Sequence, residues 1–167
     1  MLITYRSQHG VGMMEVLVAM IILSIAILGF VALQVRATNA TAEALKRSDA
    51  LIVLNGLAEK IRLNSTGNYQ ATVPTTAPAC IAALNCSANN QALADLYTQS
   101  SIAKLQNIVI GVVSCPNTST NQARLCLIAA WESTSASIAT TTTTGNACLT
   151  NTGKYADDAH CLVLEAY

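Results

Sequence analysis

Charge is scarce in this sequence. Only 11% of its residues are Asp, Glu, Lys or Arg, nine basic against nine acidic, so there is no basic field to meet the phosphates of a nucleic acid. Aromatic residues are scarcer still, with one Trp (Trp131) and one Phe (Phe30), and beyond residue 35 the chain is rich in Ala, Thr, Asn and Ser. A core drawn from such residues is thin for its length. Histidine occurs only at His9 and His160 and no C-x-x-C pair is present, which removes the close-set ligand spacing of a zinc site. Paired carboxylates and a Gly-rich phosphate loop are missing as well. His160 stands beside Cys161 and Asp157-Asp158, but a Cys–His nucleophile needs a free thiol and the cysteine count is even. The sequence thus predicts no catalytic residue, no metal site, no cofactor and no enzyme activity; His160 reads as a surface residue in a turn.

What the chain does have is cysteine in the right number. Cys80, Cys86, Cys115, Cys126, Cys148 and Cys161 all follow the apolar N-terminal region. An even set spread through a polar region reads as three disulfides formed in an oxidising compartment. Pairing in sequence order, Cys80–Cys86, Cys115–Cys126 and Cys148–Cys161, is favoured only because each pair brackets a loop. Six cysteines allow many other connectivities.

The chain also has one long uncharged run, the twenty residues Val16 to Val35, in which Ser24 and Gln34 are the only strongly polar members. As a helix it spans about 30 Å, the thickness of a bilayer's hydrocarbon core. A buried core helix is the bland alternative, but this run is apolar on every face in a small chain. Arg6 precedes it and Arg36, Lys46 and Arg47 follow, so the positive-inside rule barely discriminates. The cysteines place the C-terminal part on the oxidising side. Met1 to Gly10 is too short and too polar for a secretory signal, whose apolar core precedes its cleavage site.

Nothing stops the helix at residue 35. Residues 36–63 hold no Pro and only Gly56, with Leu51, Leu54, Leu57, Ala58 and Ile61 on one face and Asp49, Glu59, Lys60 and Arg62 pointing away. Asn64 to Gly67 ends it, giving one helix roughly 75–80 Å long. Residues 68–90 read as a loop with Pro74 and Pro78. Ser87 is placed to cap a helix from about Ala88 to Leu105, with Leu93, Leu96, Tyr97 and Leu105 as its buried positions. Strand-like runs follow at Ile108–Val113, Leu125–Trp131 and Cys161–Tyr167, and Ser133 to Asn146 reads as a flexible loop of low complexity.

Glu15 is the most informative side chain. A carboxylate in the first turn suits the helix dipole, which is its ordinary role. At a lipid boundary it still costs several kcal/mol unless paired (about 2.5–3.5 for an acid at mid-membrane). Cutting after Gly10 would create an α-amine on Val11, four residues before Glu15. That amine can neutralise Glu15 of its own chain or of a neighbour in a helical bundle, so that the acid fixes register as a buried polar residue does in a coiled coil.

Gly10, Glu15 and the run Glu15-Val16-Leu17-Val18-Ala19-Met20 resemble the class III signal of type IV pilins and pseudopilins. The resemblance implies that a prepilin peptidase cuts between Gly10 and Val11 and N-methylates Val11, and that Glu15 directs subunit packing. The family usually has Phe where this chain has Val11, and major pilins often carry a Pro in the apolar run, which is missing here. The head, through Cys80-x5-Cys86-Ser87, Gln91 to Leu96, Trp131 and Cys161, is similar to minor pilins of the PilV type, although the Trp that often follows the Asp-Leu pair is not found at Tyr97 to Ser101. The implied fold is α+β, a long N-terminal helix packed on an antiparallel β-sheet head with disulfides. Its parts are a leader (1–10), a membrane or filament-core half-helix (11–35), an amphipathic half (36–64) and a globular head (65–167). The implied function is that of a structural subunit in a priming or tip complex, supporting pilus assembly and hence adhesion, twitching motility and DNA uptake. Its partners would be other minor pilins, the major pilin, a tip adhesin and the peptidase. It would sit in the bacterial inner membrane with the head in the periplasm, then in the surface pilus. A minor pseudopilin of a type II secretion system and an unprocessed membrane-anchored binding module are the alternatives.

Overall fold

The computed structural model describes residues 12–118, 124–140 and 145–166. The chain divides into two compact units, one ending at Glu43 and the other beginning at Ala44. The described part of the first unit is helix. Helix α1, Met13–Leu63, starts where the Gly12 carbonyl accepts the amides of Glu15 (2.9 Å) and Val16 (3.4 Å). Its few hydroxyls turn inward on their own backbone: Ser24, Thr38 and Thr41 donate to the carbonyls of Met20, Val35 and Ala37. These three hydroxyls are thereby satisfied without water, as an apolar environment demands of Ser24.

The second unit opens with the last five turns of α1. Ala50, Val53, Leu54, Leu57, Ala58 and Ile61 are buried, a 3-1-3-1-3 spacing that makes one stripe. The sequence assigned Leu51 to this stripe, but it is 45% exposed, and Ala50 and Val53 hold the inner positions instead. Helix α2, Ala79–Ala83, is a single short turn inside the segment expected to be loop. Helix α3, Ala88–Leu105, has the expected bounds but a different inner face. Ala92, Asp95, Leu96, Gln99, Ser100 and Ala103 are buried, whereas Leu93 and Tyr97 are half-buried and Leu105 is 82% exposed. Close approach of α1 explains this: a Cβ at Gly56 would collide with the Gln99 side chain, so small and polar residues line the seam. Ser87 stands at the N-cap in extended backbone but makes no side-chain cap bond. Lys46 caps the other end of α3, donating its ammonium to the Gln106 carbonyl.

Five strands follow: β1 Ile108–Ser114, β2 Leu125–Trp131, β3 Ser135–Ile138, β4 Ala147–Leu149 and β5 Cys161–Ala166. The main sheet is antiparallel in the order β1-β2-β5, with Ile108 opposite Trp131 and Ala130 opposite Cys161. β3 and β4 form a separate parallel pair. Period-2 alternation gives central β2 two buried faces. Leu127, Ala129 and Trp131 join the cluster made with α1 and α3, while Ile128 and Ala130 join Cys148, Leu149 and Cys161. Ser133 to Asn146 is thus not a plain loop. β3 lies so near β1 that a Cβ on Gly111 would collide with the Ala136 carbonyl oxygen. Disulfides join Cys80 to Cys86, Cys115 to Cys126 across β1 and β2, and Cys148 to Cys161 between the two sheets.

Candidate assembly site

Glu15 sits in the first turn of α1, where four backbone N–H groups lack helical acceptors and the dipole favours an anion. Val16, Ala19, Met20 and Leu23 line a shallow notch of about 350 Å³ beside it, with Ala19 as the small residue that makes the dip. Every residue from 12 to 42 is exposed. The helix contains a stretch of mean hydropathy 3.0 with none of it buried, long and apolar enough to cross a membrane. Among the described residues Glu15 has no ion-pair partner. Gly10 and Val11, the expected cleavage position and new amine, lie outside the described residues. Chemically, Glu15 is an acceptor without an ion-pair partner among the described residues, on the rim of an uncovered apolar surface, which suits a donor or cation brought in by another helix.

The head holds a polar cluster that the sequence did not single out. Tyr69 donates its hydroxyl to Asp95 Oδ2 at 2.7 Å, and Gln91 Nε2 donates to Oδ1 at 3.0 Å. Lys60 Nζ lies 3.4 Å from Asp95 Oδ1. Asn64 Nδ2 donates to the Tyr69 hydroxyl at 3.3 Å and to the Ala88 carbonyl at 2.8 Å. Asp95 is 7% and Tyr69 2% exposed. Burial, reinforced by the neighbouring carboxylate, pushes the Tyr69 hydroxyl up to about 12. With its lone pairs taken by Tyr69, Gln91 and Lys60, Asp95 works as a clamp between the end of α1, the following loop and α3. It is not poised as a general base. Lys60, expected to point away from the head, instead reaches into it. Gln91 and Asp95 are spaced i,i+4 and could have been noticed; Lys60, Tyr69 and Asp95 share no local pattern.

Two other groupings carry less chemistry. Cys115, Cys126 and Glu165 have ligand atoms within 4.8 Å of one another. Both sulfurs are spent in one disulfide and Glu165 is paired with Arg124 at 2.6 Å, so this donor set does not suit a metal ion. His160 is half-buried, its Nε2 3.2 Å from Glu132 Oε2.

Two family models match the chain. One is the prokaryotic N-terminal methylation motif, over residues 5–31, and the other is described as type IV pilin Tt1218, over residues 32–97. They meet end to end, and the first includes Gly10, Val11 and Glu15. No curated protein and no solved structure matches. The methylation motif and pilin domain fall on a long N-terminal helix joined to a disulfide-linked head with a small antiparallel sheet, so the chain is similar to type IV pilins over residues 5–97 and has an α+β pilin-like fold.

Proposed function

We propose that the chain is a minor type IV pilin of the PilV type, a structural subunit of a priming or tip complex. The observation that carries this reading is the helix surface from 16 to 35, apolar and uncovered, with one carboxylate just before it. A surface of that size is tolerated only in lipid or among other helices. A subunit that begins in the inner membrane and ends in a filament meets both. The family is structural, its members assemble with one another and are processed by a prepilin peptidase. In this reading the peptidase cuts between Gly10 and Val11 and methylates Val11, and Glu15 receives the new amine of its own or a neighbouring subunit. The head stays in the periplasm until assembly, where its cysteines oxidise. Other minor pilins and the major pilin pack against α1 and a tip adhesin against the head. Adhesion, twitching motility and DNA uptake then depend on the subunit through the pilus that it helps to start.

The test is Glu15→Ala. Insertion and cleavage should persist, while the amount in sheared pili falls by at least about tenfold, because an amine left unpaired among helices costs about 3–5 kcal/mol. Normal amounts in sheared pili would sink the ion-pair role. A chain still starting at Met1 in cells with an active prepilin peptidase would favour an unprocessed anchored module, and recovery with a type II secretion apparatus would favour a pseudopilin.

A further inference from the structure

The three disulfides differ in what surrounds them. Cys115–Cys126 and Cys148–Cys161 belong to the sheets, and none of these four cysteines is more than 5% exposed. Cys80–Cys86 is half-exposed at both ends. It closes a short loop around α2, and α2 contributes no buried residue to either apolar cluster. A bond that fastens nothing to the core can open without opening the core.

We propose that Cys80–Cys86 is a thiol–disulfide exchange site, open to a dithiol reductant while the head remains folded. Both sulfurs border a cavity of about 330 Å³ that runs back to Lys60 and Asp95, which gives an attacking sulfur room to approach. One thiolate of the dithiol attacks a sulfur of the pair, the S–S bond breaks, and the other cysteine leaves as a thiolate that takes a proton from water. The second thiol of the reductant loses its proton and attacks its own partner's sulfur in the mixed disulfide, releasing the remaining cysteine, which is protonated in turn. Two electrons pass to Cys80 and Cys86, and the dithiol ends as a disulfide. The reduced form gains a contact that the oxidised form lacks. Cys80 Sγ lies 3.8 Å from the Asn90 carbonyl oxygen in the first turn of α3; a disulfide sulfur has no proton to offer there, whereas a thiol does.

Leu84, 94% exposed at φ 52°, is the left-handed C-cap of α2, its amide turned to the carbonyls of Cys80 and Ile81, so the disulfide closes over one short capped turn at the surface. The inference does not depend on assembly into a pilus.

The experiment treats the full chain, in detergent and without denaturant, with dithiothreitol for graded times. Exposed thiols are trapped with N-ethylmaleimide and mapped by peptide mass. Cys80 and Cys86 should be labelled together, at least about tenfold faster than the other four, which wait on opening of the core. Equal rates, or earlier labelling of either buried pair, would overturn the proposal. The double variant Cys80→Ser/Cys86→Ser should keep the other two disulfides and the thermal transition, with faster proteolysis confined to residues 78–87. A head that fails to fold in that variant would equally overturn it.

Discussion

Replacing Tyr69 with Phe removes one oxygen from the clamp between α1 and α3 and leaves the ring in place. That oxygen donates to a carboxylate at 2.7 Å, in surroundings where neither group meets water freely. Hydrogen bonds to charged groups contribute about 1.5–3 kcal/mol. Titration gives a separate readout, in which burial is the larger cause and the bond to Asp95 the next. The Tyr69 hydroxyl is raised from 10.0 to about 12, so the folded chain holds that proton more tightly than the unfolded chain does. The corresponding stability, about 2–3 kcal/mol, is fully present below pH 10 and is lost as the pH rises through 12. Urea denaturation of the detergent-solubilised chain should therefore show the variant less stable by about 2 kcal/mol at pH 7, with the gap closing between pH 10 and 12. Ultraviolet titration should show one tyrosine ionising near 12 in the parent chain and none there in the variant. A gap that stays constant to pH 12, or tyrosines that all ionise near 10 while the head is folded, would refute the reasoning.

Three further outcomes are expected. Gly111→Ala drives a methyl into the Ala136 carbonyl, and because the obstructing atom is backbone the cost should be about 1–3 kcal/mol, seen as a lowered Tm; an unchanged Tm would mean that β3 does not press on β1. Lys46→Met removes the ammonium from the end of α3 and should cost about 0.5–1 kcal/mol, with faster hydrogen exchange in the last turn of that helix; unchanged exchange there would remove Lys46 from its capping role. Glu15→Gln keeps the size of the side chain and removes its charge, so its incorporation into sheared pili should fall as far as that of Glu15→Ala. Incorporation at the parent level would replace the ion pair with a neutral hydrogen bond.

The parts of the fold that were legible in the sequence are those whose signal is local and long. Helices α1 and α3 and strands β1, β2 and β5 each carry enough periodic or β-branched residues to announce themselves. Faces were harder. Leu51 and Leu105 look like core residues by type but are 45% and 82% exposed, while alanines, Leu96 and Gln99, whose side chain packs against Gly56, hold the inner positions. Helix α2 is five residues long and buries nothing, so it leaves no pattern to find. β3 and β4 are spelled Ser-Ala-Ser-Ile and Ala-Cys-Leu, too short and too mixed for a period. Contact with Gly111 and the Cys148–Cys161 bond hold them in place. At the candidate assembly site Glu15 stands out in the sequence because an isolated acid before twenty uncharged residues needs a cause. The Lys60–Tyr69–Asp95 clamp does not, since its members come together only once α1, the loop and α3 have folded.

Strand β2 is a wall shared by two rooms. Its odd-numbered side chains from Leu127 to Trp131 face the helices, and Ile128 and Ala130 face the small parallel pair with its own disulfide. A change on one side of the wall is therefore screened from the other by the backbone itself. The outer room can be redecorated over generations, its loops lengthened or its strands respelled, provided Ile128, Ala130 and the cystine between residues 148 and 161 still fit. The inner room, which also holds the end of α1, has no such licence. The two faces of one seven-residue strand can thus drift at different tempos, the outer one changing while the packing of Ala50 to Ile61 against the inner one stays the same.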